Sequence, residues 1–334
     1  MNAKILSLAK ASALTLVAVC TLLATACNDA QNTAALSEGG SLPDEITIDY
    51  AVWSPLSLAL REKGFLEEEF RDDNVKITWI LTHGGNKSME FLMSGSVDVV
   101  SSPGISPLLS YISGSPVTIV SLVSVQSFVM IVPPDSGISD VSELRGKTVS
   151  ATPGTATYLY AIKSLASAGL GPEDVNIVPL QFAEGFMEVS RGRVDAYAGA
   201  EPQQSIAENE GLKALPDNTG FRPPLVLSAN SEFLKKYPHV VKRIISAYGK
   251  ARKWAEDNPA ELAALVGKQN NLPPEVAGLM IKRLDLRPGE ISDEFRNSLI
   301  EQGEIFKQLG VIRQDVDLQA AVSRLTDNSA LGDI

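Results

Sequence analysis

Cysteine and histidine are scarce in this sequence of 334 residues, which contains two of each. Cys20 lies in an N-terminal apolar run that we expect to be removed, so Cys27 would be the only cysteine left and no disulfide could form. The two histidines, His83 and His239, are accompanied by no cysteine pair. We therefore expect neither a transition-metal site nor a cofactor.

Positive charge is also in short supply. Lysine and arginine number 29 against 40 aspartates and glutamates, which gives a net charge of -11. This balance argues against nucleic acid or an anionic lipid surface as a partner. Beyond residue 26 no apolar run approaches the length of a membrane span, and we expect the folded part to be soluble.

Catalytic and phosphate-binding motifs are incomplete. A nucleophile elbow requires Gly-x-Ser-x-Gly, and the segment SPGISPL at 102–108 lacks the second glycine. The segment GGNKS at 84–88 has Asn86 where a phosphate loop requires its last glycine. Acidic residues are plentiful, but their spacing singles out no catalytic pair. The sequence therefore predicts a protein that is not an enzyme.

The N-terminus has the pattern of an export signal. Lys4 and Lys10 precede an uncharged run from 11 to 26 that is short for a membrane span. The residues LLATAC resemble a bacterial lipobox, which implies cleavage after residue 26 and a lipid on Cys27; the alternative is a plain cleaved signal with a free cysteine. We expect a lipoprotein signal at 1–26, a flexible tether at 27–45, and anchoring to the outer face of the cell membrane.

Strand-like and helix-like segments alternate along the rest of the chain. ITIDYAVW alternates at strand period, and SPLSLALREKGF follows as a helix with an early proline. The pattern predicts two α/β units with mostly parallel sheets, joined by two extended crossings near 129–133 and 221–228. We expect two lobes with a cleft and a hinge but no continuous core between them, and C-terminal helices that return to the first lobe.

The two units repeat a short pattern weakly. FLMSGSVDVV at 91–100 and EVSRGRVDAY at 188–197 both place a helix end, a glycine and a Val-Asp pair before a strand. For Asp98 and Asp195 we favour a strand-end charge satisfied by neighbouring backbone over catalysis.

The segment ATPGTATYLYAIKSLASAGL at 151–170 places small polar residues before a helix. A helix start exposes unpaired N–H groups and can bind an anion or a polar ligand edge. The hydroxyls of Thr152, Thr155 and Thr157 can equally cap the helix themselves. The segment alone leaves both readings open.

Several segments together resemble a known family. ALREKGFLEEE, FLMSGSVDVV, ELRGKTVSATPGTATYLYAIKSLASAGL and VDAYAGAEP are similar to segments in the extracytoplasmic binding proteins of ABC importers for aliphatic sulfonates, taurine, nitrate and thiamine-type pyrimidines. The resemblance runs from about 46 to 309. It implies an α/β, two-lobed type II periplasmic-binding-protein fold, with lobe 1 at 46–132 plus 225–334 and lobe 2 at 133–224.

The resemblance also implies which residues face the ligand, and it favours ligand contact over self-capping at the helix start in 151–170. Trp53 has a core residue as its alternative reading. The matching positions are Trp53, Ser54, Ser102, Gly104, Ile105, Ser106, Gln126, Gly154, Thr155, Ala156, Thr157, Ala200 and Glu201.

One departure from the family concerns Ala200, where relatives often carry tryptophan before the acid and proline. The smaller residue predicts a wider pocket. Glu201 would repel a bare sulfonate, so either it points away or the ligand is two-ended, with an acceptor at Thr155–Thr157 and a donor at Glu201.

The resemblance implies a monomeric solute-binding subunit that closes on a small polar or anionic solute and delivers it to the permease subunits of an ABC importer. The alternatives are a binder of pyrimidines or other nitrogen heterocycles, a receptor-coupled sensor, and an enzyme on the same fold.

Overall fold

The computed structural model describes residues 41–287 and 290–332. The chain divides into two units, Met1–Leu42 and Pro43–Ile334, and the second contains both β-sheets. The predicted signal at 1–26, Cys27 and most of the predicted tether lie outside the described residues.

The first sheet has five strands in the order β2-β1-β3-β10-β4. Strand β1 pairs in parallel with β2 and β3, whereas β10 is antiparallel to both of its neighbours. Ile46 and Ile48 of β1 are fully buried, as the alternating pattern predicts. The strands are β1 (Glu45–Tyr50), β2 (Lys76–Leu81), β3 (Val99–Pro103), β4 (Val117–Val125) and β10 (Pro224–Asn230).

The second sheet repeats this arrangement in the order β7-β6-β8-β5-β9. Here β6 pairs in parallel with β7 and β8, and β5 is antiparallel to both of its neighbours. Each sheet is thus mixed rather than mostly parallel, because each receives one strand from a crossing. The strands are β5 (Val129–Val132), β6 (Thr148–Ser150), β7 (Asn176–Val178), β8 (Ala196–Gly199) and β9 (Lys213–Ala214).

Strand β5 corrects one predicted boundary. The predicted limits of lobe 1 include 129–132, but β5 pairs within the second sheet. The first crossing is therefore the short segment 126–128. The remaining predicted limits of the lobes stay a prediction.

Helices cover the sheets. Among the described residues they are α1 (Pro55–Glu62), α2 (Phe65–Glu69), α3 (Gly85–Met93), α4 (Ile105–Ile112), α5 (Ala156–Ser167), α6 (Phe182–Ser190), α7 (Gln203–Glu210), α8 (Ser231–Lys236), α9 (Pro238–Asp257), α10 (Pro259–Asn270), α11 (Pro274–Lys282), α12 (Asp293–Gln308) and α13 (Leu318–Leu325). Helix α1 has its proline in the first turn, as the sequence predicts, and Ser54 caps this helix. In the described chain no helix is long and apolar enough to cross a bilayer.

The C-terminal helices return to the first lobe, as predicted. Val240 and Ile244 of α9 are buried in one core with Ile46 and Ile48 of β1. Helices α12 and α13 contact α4. This return places the ends of α11 and α12 beside the second lobe.

The two lobes share part of a hydrophobic core, so the prediction of a hinge without continuous core is wrong. One buried cluster includes residues of both lobes. Phe128, in the crossing, stacks on Tyr160 at 5.8 Å between ring centroids and lies 5.7 Å from Phe221. Tyr158 of the second lobe stacks on Phe306 of α12 at 6.2 Å. Rotation between the lobes must keep or repack these aromatic contacts.

Candidate functional site

A cavity of about 590 Å³ lies between the two lobes. Its wall comes from the carboxyl ends of parallel strands and the helix starts that follow, where ligands bind in open α/β sheets. From the first lobe and the crossing the lining residues are Val52, Trp53, Leu81, His83, Gly84, Gly85, Lys87, Phe91, Pro103, Gln126 and Phe128. From the second lobe they are Thr155, Ala156, Thr157, Gln181, Phe182, Ala183, Ala200, Glu201, Pro202 and Gln203.

A buried carboxylate, Asp49, holds the first-lobe wall together. Its Oδ1 accepts the Ser101 backbone N–H at 2.8 Å and the Ser101 hydroxyl at 3.3 Å. Its Oδ2 accepts the hydroxyls of Thr82 and Ser88, both at 2.9 Å. These three partners belong to β3, to the segment after β2 and to α3. One side chain therefore cross-links three of the elements that present lining residues.

Burial of Asp49 changes its titration. The side chain is 0% exposed, and this burial raises the pKa of Asp49 to about 7 against the opposing effect of its hydrogen bonds. Burial, followed by the nearby charge of Asp49, also raises the pKa of the Tyr248 phenol. Near neutral pH the Asp49 carboxyl group is thus close to the midpoint of its titration.

The helix start at Thr155 both caps itself and lines the cavity. The Thr155 hydroxyl oxygen accepts the Tyr158 N–H at 3.4 Å, and the hydroxyls of Thr155 and Thr157 lie 2.8 Å apart. Thr155 also donates to the Thr152 carbonyl at 2.6 Å. The two readings of this segment are therefore compatible, and ligand contact here stays a prediction.

Glu201 lines the cavity but is already engaged by the protein. Its Oε1 accepts from Arg283 Nη1 at 3.0 Å, and its Oε2 accepts the Ser205 N–H at 3.1 Å. A ligand ammonium would compete with this ion pair. The geometry thus removes the reason for the donor end of the two-ended ligand model.

The remaining wall is largely apolar and aromatic. Trp53, Phe91, Phe128 and Phe182 contribute rings from both lobes and the crossing. Lys87 also lines the cavity, but its ammonium is 2.7 Å from Glu90 Oε2 on the same helix. Both charged groups of the wall, Lys87 and Glu201, therefore have partners within the protein.

Seven of the thirteen predicted residues line the cavity: Trp53, Gln126, Thr155, Ala156, Thr157, Ala200 and Glu201. The crossing and the starts of helices α1, α5 and α7 bring them together, although they are spread over about 150 residues of sequence. Trp53 Nε1 is buried and has no hydrogen-bond partner among the described residues.

Six predicted residues do not line the cavity: Ser54, Ser102, Gly104, Ile105, Ser106 and Gly154. Ile105 is fully buried in the hydrophobic core, because the first residue of α4 turns its side chain inward. A Cβ on Gly104 would lie 3.0 Å from Leu299, so this glycine permits helix packing. Ser54 is occupied in capping α1.

The hydroxyls of Ser102 and Ser106 lie behind the wall. Both are buried without a hydrogen-bond partner among the described residues. A Cβ on Gly85 would lie 2.6 Å from Ser106 Oγ. They therefore pack against the start of α3 and stand one layer away from the cavity surface.

Residues after β2 and β7 were missed from the sequence. Leu81 and His83 lie at or after the end of β2, and Gln181 and Phe182 follow β7, so the rule that ligands meet strand carboxyl ends could have found them. Phe128 had no comparable signal, because its exposure to the cavity depends on where the chain crosses between lobes.

Known proteins that are similar to this chain have the same two-lobed architecture. The NMT1/THI5-like family matches residues 56–262, more than half of the chain. The chain belongs to this family. The resemblance stated from the sequence, to extracytoplasmic solute-binding proteins, is confirmed.

Relatives of this NMT1/THI5-like protein include two candidate aliphatic sulfonates-binding proteins. The one from Bacillus subtilis is 27% identical, with 83% of this chain and 85% of the relative covered. The one from Escherichia coli is 23% identical, with 84% and 89% covered. The relatives are thus named as binding proteins rather than enzymes.

A solved structure shows the fold. The alkanesulfonate-binding protein SsuA from Xanthomonas axonopodis pv. citri, bound to MOPS, superposes with a TM-score of 0.79 and is 20% identical. The match covers 84% of this chain and 99% of that chain. The predicted fold class, a two-lobed periplasmic-binding-protein fold, is confirmed.

Proposed function

We propose that this chain is the solute-binding subunit of an ABC importer. It captures a small polar or anionic solute with an apolar body between its lobes, closes around it and docks on a permease. Binding shifts the population toward the closed arrangement and requires no bond chemistry. The names of the relatives support this proposal.

The observation that carries the proposal is the cavity built from both lobes. Its volume of about 590 Å³ is typical of pockets for small organic ligands, roughly 300–1,000 Å³. A ligand that contacts Trp53 and Phe91 on one side and Phe182 on the other stabilises the closed arrangement through all of these contacts.

The chemistry of the wall favours an amphipathic solute such as an alkanesulfonate. The aromatic side chains accept an apolar body, while Gln126, Gln181 and Gln203 supply amide donors. A planar nitrogen heterocycle is the second candidate, because the same rings can stack on it.

Calorimetry with unbranched alkanesulfonates of increasing length tests the proposal. Each added methylene buried in the cavity contributes about 0.8 kcal/mol, which is about a fourfold gain in affinity. We expect this gain to continue over several carbons. Taurine, nitrate and pyrimidines in the same series test the alternatives, and tighter binding of a pyrimidine would favour the second candidate.

Helix α3 offers a matched pair of variants. Phe91 and Met93 are both exposed, at 37% and 53%, but only Phe91 lines the cavity. Phe91→Ser should weaken the longer alkanesulfonates about tenfold, whereas Met93→Ser should leave affinity unchanged. Equal effects of the two variants, or none from Phe91→Ser, would contradict binding in this cavity.

We further propose that the mature protein is a monomer held outside the cytoplasm by a lipid on Cys27. The lipobox-like segment before Cys27 supports this. Two acyl chains, at about 0.8 kcal/mol per buried methylene, suffice for stable anchoring. Cys27→Ser should move the protein from washed membranes to the soluble fraction. Cys20→Ser is the control, because Cys20 is removed with the signal; a Cys27→Ser variant that stays with the membrane would exclude the anchor.

A further inference from the structure

Arg283 bridges the two lobes. It follows α11, whose Met280 is buried in the same core as Ile46 of the first lobe. Its guanidinium Nη1 donates to Glu201 Oε1 at 3.0 Å and to Ser205 Oγ at 2.8 Å, and Nη2 pairs with Glu208. These three partners lie on or just before α7 of the second lobe.

The bridge lies directly behind the cavity wall. Arg283 lines a small recess of about 30 Å³. Trp53, Gln126 and Glu201 line both this recess and the cavity. Two residues after Arg283, the Asp285 carbonyl accepts the N–H of Val125 at 2.9 Å, at the crossing between lobes. Arg283 is thus held close to the crossing between the lobes.

The charge of Glu201 needs a partner at this position. Its side chain is 14% exposed and that of Arg283 is 26% exposed, so solvent screens the pair less than a surface pair. Without Arg283, Glu201 would present a negative charge beside Ala200 and Pro202 in the wall and repel anions. With Arg283, the carboxylate of Glu201 faces a positive charge supplied from the other lobe, which offsets part of the negative charge of Glu201 and Glu208.

We propose that Arg283 is a specificity-determining residue: reaching from the first lobe, it offsets the negative charge of Glu201 in the cavity wall and so admits an anionic group to that side of the cavity. The proposal deepens the solute-binding function and rests on it for its biological meaning. The charge relation itself can be tested without knowing the natural ligand.

A thiol placed in the wall reports the local charge. Ala200→Cys, in the full chain with Cys20→Ser and Cys27→Ser, puts a single reactive group next to Glu201. The rates of its modification by an anionic methanethiosulfonate, the ethylsulfonate reagent, and by its cationic trimethylammonium counterpart are measured. The ratio of the anionic rate to the cationic rate is the readout.

In this background Arg283→Gln should lower the ratio about tenfold, because the carboxylate is left unpaired. Adding Glu201→Gln to Arg283→Gln should restore the ratio to within about twofold of the starting protein. Glu208→Gln is the matched control. Glu208 is the other acidic partner of Arg283 but does not line the cavity, so this variant should change the ratio less than about twofold. Glu201→Gln alone should raise the ratio and covers the case in which Arg283→Gln fails to fold.

Two results would overturn the proposal. An unchanged ratio in Arg283→Gln and in Glu201→Gln would show that the pair does not set the charge of the wall. A ratio that stays low in the double variant would show that Arg283 acts through shape. If the ratios respond as expected but no alkanesulfonate binds in calorimetry, Arg283 keeps its charge role and the proposed function fails separately.

Discussion

The two lobes share a hydrogen-bond pattern between an aspartate and the backbone of a threonine at a strand end. Asp98 accepts the N–H of Thr47 at 2.7 Å in the first lobe, and Asp195 accepts the N–H of Thr148 at 2.8 Å in the second. Each aspartate also donates its own N–H to the carbonyl of the same threonine, at 2.8 and 2.9 Å. The prediction that both are strand-end charges satisfied by neighbouring backbone is confirmed. The repeated Val-Asp pair therefore serves the sheets and not the ligand.

Two residues beyond each threonine, the lobes differ. Asp49 occupies this position in the first lobe and accepts hydrogen bonds from three elements, whereas Ser150 in the second lobe has a buried hydroxyl without a partner among the described residues. The facing helix carries Ser88 in the first case and Gly185 in the second, where a Cβ would lie 2.4 Å from Ser150 Oγ. Hydrogen bonds to Asp49 therefore stabilise the first-lobe wall, whereas close packing of Ser150 against Gly185 stabilises the second-lobe wall.

The largest expected consequence of this difference is a pH dependence of stability that originates at Asp49 in the first lobe. The pKa of Asp49 is raised from 3.8 to about 7, so between these values folding takes up a proton and stability falls as pH rises. Asp49→Asn keeps the shape and cannot titrate. Relative to this variant, the wild-type protein should lose on the order of 4 kcal/mol of unfolding free energy between pH 4 and pH 8.

Urea unfolding of both proteins across this range measures the effect. The difference between them should change between pH 4 and about 7 and then level off, because above this value the carboxyl is ionised in both the folded and the unfolded state. Parallel stability curves would show that Asp49 titrates normally and that the lobes do not differ in this respect.

A second comparison concerns the contributions of Asp98 and Asp195 to stability. Burial raises the pKa of Asp98, whereas the Asp195 side chain is 38% exposed and lies 3.7 Å from Lys147. Asp98→Ala leaves the Thr47 N–H unpaired away from water and should cost about 2 kcal/mol; Asp195→Ala should cost about 1 kcal/mol, because water can replace the lost acceptor.

Urea unfolding with an unchanged dependence on denaturant checks these costs. A larger cost at Asp195 than at Asp98 would show that burial does not set the strength of the strand-end contact and that the second sheet depends more on its aspartate than the first.

Local pattern predicted much of the fold but little of what lies between the lobes. Alternation in ITIDYAVW and the early proline at Pro55 of α1 are local signals, and the structure shows the strand and the helix that they predict. The crossing at 126–128 was placed too late because β4 and β5 form one apolar run. Ile105 lies in the core and not in the cavity wall; a helix start after a strand resembles a ligand loop whichever way its side chain turns.

The pairing of Arg283 with Glu201 had no signal in the sequence. The two residues are 82 positions apart, and they meet only because the C-terminal helices return to the first lobe beside α7. The family resemblance pointed to Glu201 but not to Arg283. The sequence therefore predicted an unpaired negative charge in the cavity wall, whereas the structure shows an ion pair. Contacts between lobes depend on the packing of whole elements, which no short segment encodes.

The smallest expected effect concerns single hydroxyls at the two walls. Ser88→Ala removes a 2.9 Å hydrogen bond to Asp49 and should cost about 1 kcal/mol. Ser150→Ala removes a buried hydroxyl that has no partner among the described residues, so it should change the unfolding free energy by less than about 0.5 kcal/mol or raise it. Both variants are compared by urea unfolding at about pH 5, where Asp49 is protonated in the folded protein. If Ser150→Ala costs as much as Ser88→Ala, the Ser150 hydroxyl is satisfied in solution, and the second wall also depends on a polar contact.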